Sequence, residues 1–310
     1  MLLPPHPSRH YRYHGYDYRR GASLFLTFAL KTRRPLLGRV EGEAVVHSAA
    51  GQAVAAAIAR EAKRPGGPVL HGFVVMPDHV HARVYVRPGA PEPLRQVGQF
   101  VANVKRWSAY HAARLGIELV WQESFHDRLC LSREIIERVE KYIANNPLKW
   151  SLMHGDKALM RVEEPLEAAC LPLDEWWSGV GNKALLGGRM MALRLSRKIP
   201  SGEIAAVVAR CIAEVQKGFV PISTFISPAE RALAEALLRS DAPMIRVVPD
   251  ALERVYRPKG DEPRLFAQGR LLLLSRPSLA VRRLAAWQGL NEAIAGMAQV
   301  ARYVTGLKSL

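Results

Sequence analysis

The sequence predicts two domains of different rhythm, an α+β domain on an antiparallel sheet and then an α/β domain on a parallel sheet. Three observations predict this. The 310 residues suffice for two ordinary domains, and a hydrophobic share of 49% allows each a core. The first half reads β-α-β-β-α-β-α, with two strands joined directly at Met76-Pro77-Asp78. From Met190 onward, strands alternate with helices, the signature of a parallel sheet.

In chain order, residues 8–20 interleave basic and aromatic side chains, as an arm that pairs phosphates and stacks bases, or one whose tyrosines pack on a domain edge. Residues 23–30 (SLFLTFAL) read as a buried strand. Residues 43–63 are Ala-rich with helical spacing, ended by Pro65-Gly66-Gly67-Pro68. Residues 69–75 and 79–86 read as strands, and 91–115 as a long amphipathic helix carrying Lys105, Arg106 and Trp107. Residues 119–121 and 128–131 are short strand candidates. Ser132 caps another helix, which Pro147 is expected to end just after Asn146. This gives a ferredoxin-like, split βαβ domain over residues 1–155 and a connector over 156–187. A Rossmann-like domain follows over 188–310, with strands at 190–195, 219–225, 244–248 and 271–275. Its helices are expected at 203–216 and 228–239, with a closing helix at 290–303.

Charge narrows the function classes. The 44 Lys and Arg against 28 Asp and Glu give a formal net charge of +16. That favours a polyanion, either nucleic acid or an anionic membrane surface. No apolar run reaches the ~18 residues of a membrane span. The N-terminus lacks the basic and apolar regions of a secretory signal. The three cysteines, Cys130, Cys170 and Cys211, are far apart, so a reducing cytoplasm is expected rather than a disulfide framework.

The chemistry-bearing stretch is Met76-Pro77-Asp78-His79-Val80-His81. On a strand, residues two apart share a face, so His79 and His81 point the same way and can grip one divalent ion. Tyr142 and Asn146, four apart on a helix, also share a face. If the faces meet, two imidazoles and an amide leave open positions for phosphate oxygens, and Tyr142 becomes a nucleophile. Each part has a plainer explanation: a helical tyrosine often packs half-buried, and an Asn before Pro often only ends a helix.

Met76–His81, followed some sixty residues later by Tyr142-Ile143-Ala144-Asn145-Asn146-Pro147, resembles the single-tyrosine HUH transposases, and within them the REP-associated tyrosine transposases. The similarity spans roughly residues 8–155. It includes Gly15–Thr27 and Trp121–Leu129, and it departs at Asp78, where the family usually has Asn. The resemblance implies His79, His81 and Asn146 as ligands of Mg²⁺ or Mn²⁺, and Tyr142 as nucleophile. It also implies cleavage of single-stranded DNA near a hairpin, leaving a 5′-phosphotyrosine, then strand transfer. Arg19, Arg20, Lys105, Arg128 and Lys149 are the expected phosphate contacts, against ordinary surface charge. The active site is either complete in one chain or shared across a homodimer.

The second half is similar, more distantly, to Rossmann-type DNA-processing (SLOG-like) domains. Its ligand edge would be Ser196, Arg197, Ser201, Ser227 and Glu230, at strand ends and helix starts. A Gly-rich phosphate loop is missing, so a scaffold role stands beside ligand binding. Two other functions compete with strand transfer: a non-catalytic module that binds DNA hairpins, and a sensor that couples a nucleotide in the second domain to the first.

Overall fold

The computed structural model describes residues 15–155, 159–171, 176–276, 294 and 300–304, the last five by backbone alone. The chain divides into two units, Met1–Ser151 and Leu152–Leu310.

In the first unit, β1 (Ala22–Ala29) leads into a small hairpin, β2 (Gly38–Glu41) and β3 (Ala44–His47). Then come α1 (Ala49–Ala62), β4 (Val69–Val75), β5 (His79–Val86), α2 (Pro93–Ala113), β6 (His126–Leu129) and α3 (Arg133–His154). The four-stranded sheet has the order β4-β5-β1-β6, every pair antiparallel. With α1 crossing from β1 to β4 and α2 from β5 to β6, this is the split βαβ arrangement expected.

Strand alternation separates the two faces of this sheet. Leu24, Leu26 and Phe28 of β1 join Val80, Val84 and Val86 of β5 in a core with Val54 and Ile58 of α1 and Phe100, Val101 and Val104 of α2. The opposite face carries a smaller cluster, in which Val139 and Ile143 of α3 meet Cys130, Phe25 and Val74. The buried guanidinium of Arg83, on β5, is ion-paired with Glu140 of α3. The helix holding Tyr142 and the side chains of His79 and His81, which alternate with core-facing Val80, therefore share one face of the sheet.

Several sequence expectations are corrected. Residues 44–47 are strand, and the helix starts only after Ser48, whose hydroxyl accepts from the Gly51 amide at 3.1 Å. The β-branched pair Val45-Val46 favours extended pairing with Arg39 and Val40. Gly51 is required there, because a Cβ would stand 1.9 Å from the Leu37 carbonyl oxygen. Residues 119–121 form only an isolated bridge, Leu30 to Trp121. Pro147 does not end α3, which continues to His154. A proline costs the helix one hydrogen bond, and burial of Pro147, Leu148 and Leu152 offsets it.

In the second unit, β7 (Ser178–Gly181) precedes β8 (Arg189–Leu195), α4 (Ser201–Gln216), β9 (Phe219–Ser223), α5 (Pro228–Arg239), β10 (Met244–Val248), α6 (Glu262–Ala267), β11 (Leu271–Ser275) and β12 (Val300–Val304). The six-stranded order is β12-β8-β9-β10-β11-β7. All its pairs are parallel except β7 with β11. The 156–187 stretch is thus more than a connector: it supplies an edge strand, and Trp177 is a core residue. The helix expected over 290–303 is contradicted at its end, where Val300–Val304 is a strand beside β8. Most of its remainder lies outside the described residues, as do residues 8–14 of the basic-aromatic arm. Among the described residues, no helix is long and apolar enough to cross a membrane.

Candidate active site

The register of β1 against β5 sets Thr27 opposite His81 and Ala29 opposite His79. Thr27 Oγ1 is 2.8 Å from His81 Nδ1. His79 Nδ1 donates to the Asp78 carboxylate at 2.5 Å. A carboxylate only accepts, so this bond leaves the lone pair of His79 on Nε2. The other Asp78 oxygen pairs with Arg33 Nε at 3.0 Å. Arg33 holds a left-handed backbone, φ 53°, to make that contact. Such a conformation costs a non-glycine residue roughly 1 kcal/mol.

The two Nε2 atoms face each other at 3.1 Å. With the Thr27 hydroxyl accepting from His81 Nδ1, both carry lone pairs into one space. Cis ligands on an octahedral cation with bonds of ~2.1 Å stand about 3.0 Å apart, so the pair fits a divalent ion. Both imidazoles are buried, His79 at 8% and His81 at 5% exposure. Burial, then His79, then Arg33 and Lys149, push the His81 pKa down to about 3, so it is neutral in the physiological range. Asn146 is buried one turn beyond Tyr142 on α3. Among the described residues, no three His, Cys, Asp or Glu side chains cluster as a metal site.

Tyr142 stands edge-on to His81, ring centroids 5.2 Å apart, and edge-on to Phe25 at 5.7 Å. Phe25 stacks on His81 at 5.1 Å. The Lys149 ammonium lies 5.6 Å from the centre of the Tyr142 ring. Beside these groups opens a cavity of about 680 Å³, with Phe25, Ile135 and Val139 among its apolar lining and His126, Arg128 and Arg138 among its polar lining.

The structure brings His79, His81 and Tyr142 together, with Arg128 and Lys149 nearby. It does not gather the other expected basic residues. Arg19 and Arg20 form a short turn before Ala22, whose partner Val86 lies seven residues along β5 from His79. At ~3.3 Å per residue that is about 23 Å away. Lys105 is a correction: its ammonium donates to the carbonyls of Gln122 and Ser124 at 2.7 and 2.9 Å. It clasps a loop rather than awaiting a phosphate, and burial lowers its pKa.

The second-unit edge is corrected more deeply. Ser227 and Glu230 form a capping box on α5. The Glu230 carboxylate accepts from the amides of Leu195, Ile226 and Ser227 at 3.0, 2.8 and 3.1 Å, which uses it up as structure. Ser196 Oγ accepts from the Lys198 amide. Arg197 and Ser201 stay exposed.

Sequence reasoning missed Phe25, Thr27, Arg33, His126 and Arg138, and it gave Asp78 no role. A lone Thr in the apolar run 23–30 is a signal once β1 is set against β5. The remainder depend on tertiary packing.

No family model matches the chain, and no curated protein matches it. Among solved structures, it is similar to a REP-associated tyrosine transposase bound to a REP hairpin, at 20% identity over 48% of this chain and 75% of the other, TM-score 0.34. It is similar to a candidate transposase from Deinococcus radiodurans, at 20% identity over 44% and 97%, TM-score 0.28. It is also similar to DNA processing protein A from Streptococcus pneumoniae, at 20% identity over 56% and 62%, TM-score 0.34.

Proposed function

We propose that the chain is a divalent-metal-dependent endonuclease and strand transferase of single-stranded, hairpin-bearing DNA, with Tyr142 as nucleophile. The convergence of His79 and His81 Nε2 at 3.1 Å beside the Tyr142 ring carries this reading. His79, His81 and Asn146 would hold Mg²⁺ or Mn²⁺, which when bound supplies Lewis-acid polarisation and charge neutralisation at a phosphate. The other tasks belong to the chain itself. Phe25 and His81 fix the phenol ring from two sides, and the Lys149 ammonium lies over the ring, 5.6 Å from its centre. Tyr142 Oη forms a bond to phosphorus as the P–O3′ bond breaks. The phenol proton passes to water, and the leaving 3′ oxygen takes up a proton as a hydroxyl. In strand transfer an incoming 3′-hydroxyl attacks the phosphotyrosine and releases the phenol. One phosphoester replaces another at each step, so no outside energy source is required. Arg128 and Arg138 at the cavity suit the flanking backbone, and the net charge of +16 suits a polyanion.

The test is an end-labelled single strand carrying a hairpin, incubated with Mn²⁺ and run on a denaturing gel. A labelled adduct is expected from wild type, and none from Tyr142→Phe or in EDTA. An adduct with Tyr142→Phe defeats the proposal. Tight hairpin binding with no adduct under any condition favours the non-catalytic module.

A further inference from the structure

The function above leaves one surface unused, the flank where α2 lies beside α1, across the sheet from Tyr142. Along α2 and its C-terminal cap, Asn103, Trp107, Tyr110 and Arg114 follow at helical spacing beside the buried stripe Val97, Phe100, Val101 and Val104, on which Trp107 partly packs. From α1, Arg60 reaches over, its guanidinium carbon 3.8 Å from the centre of the Trp107 ring. Trp107 also stacks on His111, centroids 5.9 Å apart, and Tyr110 stands edge-on to it with 53% of its surface exposed.

The charge on this flank is one-sided. Neither α1 nor α2 carries an acidic residue except Glu61. Glu61 is buried and already accepts from Arg64 Nε at 2.8 Å and Asn103 Nδ2 at 3.0 Å. Arg60, Arg106 and Arg114 are exposed around the aromatic residues. Cations grouped around an exposed tyrosine and a partly buried tryptophan, on two helices with no other carboxylate, suit a chain that offers phosphates and unpaired bases together. An acidic peptide would match the charge but leave the rings without flat partners.

We infer that the Arg60–Trp107–Tyr110 strip is a second nucleic-acid contact, which takes unpaired bases of a single strand and lies across the sheet from the Tyr142 site. The inference deepens the DNA reading only in its partner. It is therefore tested without divalent cation, where cleavage chemistry plays no part.

The experiment measures fluorescence anisotropy of a labelled oligothymidine of about 30 nucleotides, with the full chain in EDTA at low salt. Tyr110→Ala is expected to weaken binding roughly tenfold, and Tyr110→Phe to stay within about twofold of wild type, because a ring of either kind stacks. Exposure of Tyr110 makes a folding defect an unsuitable explanation, and the Phe variant checks it. Arg60→Gln with Arg114→Gln should flatten the salt dependence by about 1.4 units of slope, about 0.7 for each lost phosphate contact. A blunt duplex of equal length should respond little to Tyr110→Ala. Unchanged affinity in Tyr110→Ala overturns the inference, and so does an equal loss on duplex and single strand. The covalent adduct at Tyr142 is scored separately, so either idea can fail alone.

Discussion

Asp78–His81 in the first unit and Ser227–Glu230 in the second are alike as sequence. Each sets short polar residues at the end of an apolar run, and each is a reasonable candidate site on that ground. In the structure they part company. Glu230 and Ser227 spend their oxygen atoms on backbone amides, as a helix cap does. His79 and His81 spend only Nδ1 on neighbours and turn both Nε2 atoms toward each other. Where a buried polar atom finds its partner separates scaffold from site.

Substitutions sharpen this contrast. The largest effect is expected at the histidines: His81→Ala should remove measurable Mn²⁺ binding in titration calorimetry while the protein still folds. Retained binding would move the metal elsewhere. Glu230→Ala should do the reverse, lowering stability by about 3 kcal/mol, since charge-assisted bonds to buried amides are lost, while Mn²⁺ binding persists. Unchanged thermal unfolding of that variant would break the contrast from the scaffold side. Asp78→Ala should weaken Mn²⁺ binding about 10–100-fold by freeing the His79 ring, with Asp78→Asn losing less because its amide oxygen still accepts.

The smaller effects test residues outside both stretches. Lys105→Met should cost about 1–2 kcal/mol in denaturant unfolding, because three loop carbonyls lose their shared donor, with little change in DNA affinity. Smallest is a chemical check. Burial pushes the Cys211 thiol up to about 11. Its thiolate fraction near pH 8 is therefore about a hundredfold below that of an ordinary thiol, and labelling by a disulfide reagent should wait for unfolding.

What is legible in the sequence follows from the range of the forces involved. Alternation along 79–86 and helical spacing around Tyr142 are local, and they yield the strand, the helix and the histidine pair. The hairpin at 38–47 is hidden because Ala-rich sequence next to it reads as helical from Glu43 onward. Pro147 resembles a stop because its cost is local, while the burial that offsets it is tertiary. Lys105 stands out by its place in Lys105-Arg106-Trp107, yet of the three only Arg106 is left exposed. That Thr27 meets His81, and Arg33 meets Asp78, depends on strand pairing and on a loop with an unusual backbone at Arg33. Neither is written in spacing.

The most direct measurement is mass spectrometry of the proteolysed covalent complex. Wild-type protein would be incubated with a hairpin-bearing single strand and Mn²⁺, then digested with nuclease and protease. The account predicts a nucleotide 5′-phosphate on the peptide containing Tyr142, localised to that side chain. A nucleotide on any other residue, or cleaved DNA with no modified peptide, would contradict it.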